Sequence, residues 1–158
     1  MTTAIDALRA SPLATELSPA EIAVLADLVV VRDLKDGEVL LPEGASDSHL
    51  HVVIRGRIDV VRDSGHGRNT LHTLEPGDLV GELSFMDDAP RYAALVASGP
   101  TEVLVLERRD FETLIERSPH VVYKVMRAIM RVAHRSQRRL SAQLKDFENY
   151  LFRTGGKI

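Results

Sequence analysis

The chain has 158 residues, 44% hydrophobic and 27% charged, with a net charge of −3 and no cysteine. That length and balance suit one globular unit with a sizeable core, and they exclude a disordered chain, a disulfide scaffold and thiol catalysis. The most apolar stretch, near residues 24–31, is broken by Asp27 and falls short of the roughly 20 residues a spanning helix needs; the N-terminus also lacks a signal-peptide layout, so a cytoplasmic protein is expected.

The first thirty residues read as short helices. Ile5 and Leu8 begin an apolar spacing that Ser11-Pro12 interrupts, and Ser18-Pro19 with Glu21 forms a capping box for a second helix through Ile22, Leu25 and Leu28. From residue 29 the pattern changes to brief β-branched runs at 29–34, 39–41, 49–55, 57–61, 70–74, 93–97 and 101–106. Asp36-Gly37, Glu43-Gly44, Arg55-Gly56, Pro76-Gly77 and Gly99-Pro100 mark the turns between them. Helical crossovers of a dozen residues are missing, so the strands are expected to pair antiparallel in a sandwich or jelly-roll barrel, an α+β fold overall.

After the last strand Asp110 is expected to cap a short helix with Phe111, Leu114 and Ile115 on one face. Ser118-Pro119 restarts the chain, and residues 120–152 contain neither Gly nor Pro, which predicts one helix, or one with a single bend, of about 50 Å if straight. Its apolar stripe is too long to bury on a small barrel alone, so a homodimer through the helix is expected. The division is therefore 1–118 for the barrel with its leading helices and 119–158 for the helix and tail. Residues 119–158 carry nine Lys/Arg against Asp146 and Glu148, a net +7 that leaves −10 on the body. An acidic body joined to a basic helix points to internal docking, an anionic partner or a solvated face.

The stretch Gly81-Glu82-Leu83-Ser84-Phe85-Met86-Asp87-Asp88-Ala89-Pro90-Arg91 is the candidate site. A glycine permits a tight backbone turn, amides from Glu82 onward start a helical turn facing an anion, and Arg91 supplies a fork of donors. Glu82 repels phosphate, and its natural neutral partner in a nucleotide is a ribose hydroxyl. The alternative is an ordinary Glu82–Arg91 ion pair closing a barrel loop.

Pro76-Gly77-Asp78, Val80-Gly81-Glu82-Leu83 and Pro90-Arg91, in this order, resemble the phosphate-binding cassette of cyclic-nucleotide-binding domains, the sensor module of catabolite activators and protein kinase A regulatory subunits. Ser11-Pro12-Leu13, Gly37-Glu38, Glu43-Gly44, Asp47 and Ile54-Arg55-Gly56 extend the resemblance over roughly residues 10–117. It implies that Glu82 accepts from the ribose 2′-hydroxyl, that Arg91 pairs with the cyclic phosphate, and that Gly81, Leu83 and Ser84 shape the turn beside it. Tyr92 departs from the family pattern: a small residue is usual there, and a threonine goes with cyclic GMP. Ala93 and Ala94 follow where a hydroxyl residue often ends the motif. Cyclic AMP is therefore expected ahead of cyclic GMP. Tyr92 either stacks on the base, donates a hydrogen bond, fills the pocket or faces outward from its strand. Arg131, Arg135, Tyr150 and Phe152 are helix residues of a type that covers the base in relatives, and none is assigned that role.

Gly44, His49, His51 and Gly56 also echo the cupin metal-binding layout, with His72 the one obvious further candidate ligand, but Arg55 and Gly56 stand where a ligating glutamate belongs, and no metal is expected. Walker, Gly-x-Ser-x-Gly and HExxH motifs are absent, so no enzyme is expected. The resemblance does not extend to a helix-turn-helix, and sequence-specific DNA reading is not expected. The chain is thus read as a stand-alone cyclic-nucleotide sensor that signals through its C-terminal helix to an effector the sequence does not identify. The alternative is a degenerate, nucleotide-free barrel serving as a dimeric interaction module.

Overall fold

Two short helices lead into the barrel, each set by its own capping chemistry. The computed structural model describes residues 2–154. Helix α1 (Ala4–Ala10) starts at Thr3, whose side chain accepts from the Asp6 N–H, and gives way to a 3-10 turn over Pro12–Ala14. Helix α2 (Pro19–Ala26) starts with the expected capping box: Ser18 accepts from the Glu21 N–H while the Glu21 carboxylate accepts from the Ser18 N–H.

Eight strands follow: β1 (Val29–Leu34), β2 (Val39–Leu41), β3 (His49–Arg55), β4 (Ile58–Asp63), β5 (Arg68–Leu74), β6 (Leu79–Val80), β7 (Ala94–Ala97) and β8 (Thr101–Glu107). They form two four-stranded antiparallel sheets, β1-β8-β3-β6 and β2-β7-β4-β5, in the α+β jelly-roll arrangement expected from the sequence. Strand β6 escaped the sequence reading because two residues carry no periodicity. Alternation along β3 and β8 divides the core. Leu50, Val52, Leu104 and Leu106 meet the helices, whereas Val53 and Val103 meet Ile58, Leu95 and Ala97 inside the barrel.

Between β6 and β7 lies the short helix α3 (Glu82–Asp87). Beyond β8 come α4 (Arg108–Glu112) and α5 (Leu114–Arg117). Asp110 does not cap: the N-cap lies three residues earlier, at Glu107, because Arg108 is anchored by ion pairs to Asp88 and Glu112. Ile115 is exposed, so only Phe111 and Leu114 carry the buried face.

Helix α6 (Pro119–Thr154) is continuous over 36 residues. Its first half buries Val121, Val125, Ile129 and Val132. Beyond Ala133 every side chain through Arg153 is exposed. The acidic body and basic helix dock on each other: Lys124 reaches Glu21 at 2.7 Å, Arg131 reaches Glu16 at 2.7 Å with Arg127 at 3.4 Å, and Arg139 reaches Asp78 at 3.3 Å. The Lys124 ammonium lowers the Glu21 carboxyl to about 2. Arg135 and Arg138 form no ion pair among the described residues, so docking accounts for part of the basic surface.

Gly56 turns β3 into β4 at φ +81°, and a Cβ there would strike the Pro100 carbonyl and lie 2.8 Å from the Thr101 Cα. Gly37 has a similar φ of +77° but open space around it. Gly56→Ala is therefore expected to cost about 3 kcal/mol or more, combining left-handed strain with a backbone clash. Gly37→Ala should cost only about 1 to 2 kcal/mol. Equal losses in denaturant melts would contradict this packing.

His51 is buried in β3 beside Val80 and Val105, with Nδ1 lacking a hydrogen-bond partner. Burial pushes its imidazole down from 6.5 to about 4. The unfolded chain therefore takes up a proton that the folded chain refuses, so this stability is present above pH 6.5 and is lost as pH falls toward about 4. His51→Leu should remove about 3 kcal/mol of that pH dependence. Urea melts near neutrality and near pH 4 check it: an acid loss equal to that of the parent would refute the assignment.

Candidate functional site

The site begins where Pro76-Gly77-Asp78 turns the chain into β6. The Gly77 N–H donates to the Val53 carbonyl at 2.8 Å, and the Asp78 carboxylate accepts from the Glu75 N–H at 2.9 Å. Gly81 then takes φ +85° and starts α3, whose first turn closes when the Phe85 N–H donates to the Gly81 carbonyl. The helix stops at Asp88, the one described non-glycine residue with positive φ, at 56°. Two anchors secure this segment: the buried Ser84 hydroxyl donates to the Ala89 carbonyl, and Arg108 reaches the Asp88 carboxylate at 2.8 Å. Phe85 is buried with its ring centroid 5.7 Å from that of Phe111, which joins the segment to α4.

Arg91 is held from both backbone and side chain. Its N–H donates to the Ala45 carbonyl and its own carbonyl accepts from the Gly44 N–H, so the loop before β3 fixes the position. The guanidinium turns inward, with the side chain only 9% exposed. Its Nη2 donates to Asp47 Oδ1 at 2.8 Å and to the His49 carbonyl at 3.3 Å. Nε is buried without a partner. A Cβ at position 81 would fall on the guanidinium nitrogens and displace the arginine, and the φ of +85° itself favours glycine. The Glu82–Arg91 ion pair considered from sequence does not form, since Asp47 takes the arginine and Glu82 stays unpaired among the described residues.

Glu82, Arg91 and Gly81 face a cavity of about 140 Å³ with Tyr92, Ala93, His72 and the apolar side chains of β4 to β7. Tyr92 is 62% exposed and stands at the rim, so it does not fill the barrel. A second hollow, of about 290 Å³, adjoins the first through His72, Leu74 and Leu79, and α6 closes it with Ser136, Arg139, Leu140 and Gln143.

Of the residues singled out from sequence, Gly81, Glu82, Arg91, Tyr92 and Ala93 converge on one cavity. Leu83 lies in α3, and the Ser84 side chain is spent on the loop. Asp47 was visible only as a turn residue, because nothing in a linear reading pairs it with an arginine 44 positions away. His72 and the α6 residues were missed: an exposed edge strand and a long helix carry no signal of where they cross. Arg131 is engaged by Glu16, and neither it nor Arg135, Tyr150 or Phe152 lines the hollow beside the site. The suspected metal layout does not assemble: His49 and His51 lie with ring centroids 6.2 Å apart on β3, while His72 is on the other sheet. No described helix is long and apolar enough to cross a membrane.

Comparison with known proteins agrees with this geometry. The profile of the family described as "Cyclic nucleotide-binding domain" matches residues 31–118. The chain is 32% identical over 125 residues to the cyclic AMP receptor protein of Thermus thermophilus, covering 78% of this chain and 58% of that one. It is 30% identical over 109 residues to the cAMP-dependent protein kinase regulatory subunit of Mycosarcoma maydis, covering 66% of this chain and 21% of the relative. The chain thus spans little more than half of the first relative and about a fifth of the second. The N-terminal domain of a transcriptional regulator from Streptomyces coelicolor superposes with a TM-score of 0.69 at 31% identity, covering 83% of this chain and 94% of that one. A glycine-seated arginine, an unpaired glutamate facing the same cavity and this jelly roll coincide with the family match, and the chain belongs to the cyclic nucleotide-binding domain family.

Proposed function

We propose that the chain is a sensor that binds a cyclic nucleotide between Glu82 and Arg91, cyclic AMP in preference to cyclic GMP, and reports occupancy through α6. One observation carries this reading: a nearly buried guanidinium lies on a glycine at the wall of a cavity, with one N–H unsatisfied and an unpaired carboxylate facing the same space. A charged donor left unsatisfied in a protein interior calls for an acceptor. The cyclic phosphate supplies one, and the ribose hydroxyl supplies a donor for Glu82. The alternative of a barrel blocked by Tyr92 fits poorly with a ring exposed at the rim. The preference for cyclic AMP draws on the cyclic AMP relatives and on the absence of the threonine that goes with cyclic GMP.

The output follows from contacts between the site and the helices. Phe85 and Arg108 connect α3 to α4, and Arg139 connects the Asp78 turn to α6. A nucleotide that fills the cavity extends toward the hollow bounded by Ser136, Arg139, Leu140 and Gln143. Those side chains would cover the base, and the position of α6 would depend on occupancy. Such a switch works only if the ligand binds the two helix positions with different affinity.

The distal half of α6 supports a dimer. Met130, Gln137 and Leu144 repeat every seven residues, as do Ala133, Leu140 and Phe147, which is the seam of a coiled coil with one polar residue to fix register. Met130, Leu140, Leu144 and Phe147 are all more than half exposed on the single chain.

Calorimetric titration with cyclic AMP and cyclic GMP tests the ligand assignment. Saturating cyclic AMP, at 100 times its dissociation constant, should raise stability by about 2.7 kcal/mol. Arg91→Ala should weaken binding by about 2 to 5 kcal/mol. Intact affinity in that variant would remove Arg91 from the site. For the dimer, sedimentation of the full chain at micromolar concentration should give two copies, and Leu144→Glu one. A parent chain that sediments as a monomer would rule out the seam.

A further inference from the structure

Asp47 has two oxygens with different neighbours. Oδ1 accepts from Arg91, and Oδ2 lies 3.5 Å from His49 Nδ1. The carboxylate is therefore a bridge between the ligand-binding arginine and a histidine, and both ends draw on one negative charge. His49 is part-exposed, its side chain 37% accessible, so it exchanges protons with solvent, while the guanidinium behind it is nearly buried.

We propose that His49 is a positioning residue that sets the availability of Arg91 through Asp47, so that protonation of His49 strengthens cyclic-nucleotide binding. This rests on the reading of Arg91 as the phosphate-binding group. With His49 neutral, Asp47 is an undivided counter-ion that ties up Nη2 and opposes an incoming anion. With His49 protonated, the imidazolium shares that charge and the trio changes from net zero to +1. Arg91 then gives its donors to the phosphate at lower cost. Linkage makes the effect reciprocal: a bound nucleotide favours the protonated imidazole, and binding takes up a proton.

The surrounding groups leave this role to His49. His51, on the same strand, is buried and stays neutral down to about pH 4. Glu107 stands opposite His49 on β8 and carries a negative charge. Arg108, next along the chain, is closed by Asp88 and Glu112. Arg32 from β1 is engaged by Glu38. Glu82 and His72 face the ligand cavity, and His72 is the one competing source of a proton response.

Cyclic AMP affinity measured from about pH 8 to about pH 5.5, where histidine changes charge and the cyclic phosphate does not, tests the proposal. The parent chain should gain affinity by about tenfold on acidification, the size of one added charge partly screened near the ligand. His49→Gln should bind with the weak affinity at every pH, and His49→Lys, with a fixed charge, with the strong one. Calorimetry of the parent in buffers of different ionisation enthalpy should show proton uptake that His49→Gln lacks. His72→Gln should keep the pH response. If His49→Gln retains the parent's pH profile, or the parent binds with none, the proposal is overturned while the ligand assignment stands. Failure of both cyclic AMP and cyclic GMP to bind at any pH overturns the ligand assignment and this inference with it.

Discussion

A buried positive charge needs a counter-ion, and the placing of Arg91 organises the site. Its guanidinium is only 9% exposed and lies where a side chain at position 81 would be, so any such side chain would displace it, and the chain turns there into α3 at φ +85°. Asp47 supplies the compensating charge from a loop 44 residues earlier, and Gly44 and Ala45 hold the arginine backbone from the same loop. Desolvating a charge costs several kcal/mol, which an ion pair offsets only with good geometry and further hydrogen bonds. Asp47 and the His49 carbonyl meet part of that demand, and Nε goes without. An anion placed beside the guanidinium would complete it. The arginine is thus anchored on one side and left with one buried N–H unsatisfied.

The opposite charges of body and helix do a second job. Glu16, Glu21 and Asp78 each hold a cation of α6, so the helix is fixed along its first half and reaches the turn that leads into the site. Surface ion pairs contribute little individually, about 0 to 1 kcal/mol. The apolar contacts of Val121, Val125 and Ile129 therefore carry the docking, and the charges orient it. Beyond Ala133 the helix leaves the core, and its next turns place Ser136, Arg139, Leu140 and Gln143 at the hollow beside the site. Under the proposed function, ligand cover and helix position would be two properties of one element.

Much of this was legible in the sequence because local rules act locally. The capping box at Ser18 and Glu21, the glycine turns and the β-branched runs produce helices and strands where simple periodicity puts them. Gly81, Glu82 and Arg91 were legible as chemistry even before any resemblance was invoked. What stayed hidden depends on contacts distant in sequence. The partner of Arg91 turned out to be Asp47 rather than Glu82, and only the folding of the loop onto β3 decides this. Asp110 failed as a cap because Arg108 is drawn into α4 by Asp88, 20 residues away. For Tyr92 the pocket and an outward-facing position were both open, and its exposure follows from the direction of the chain after Arg91, which spacing does not encode. The helix residues beside the site could not be chosen in advance, since a regular helix gives no sign of which turn crosses the barrel.

The most direct test of the central claim is a crystal structure of the chain with cyclic AMP. The account expects the cyclic phosphate on the Arg91 guanidinium, the ribose hydroxyl on Glu82, and the base extending toward Ser136 and Arg139. Nucleotide bound elsewhere, or an Arg91 still committed to Asp47 beside an empty cavity at saturating ligand, would contradict it.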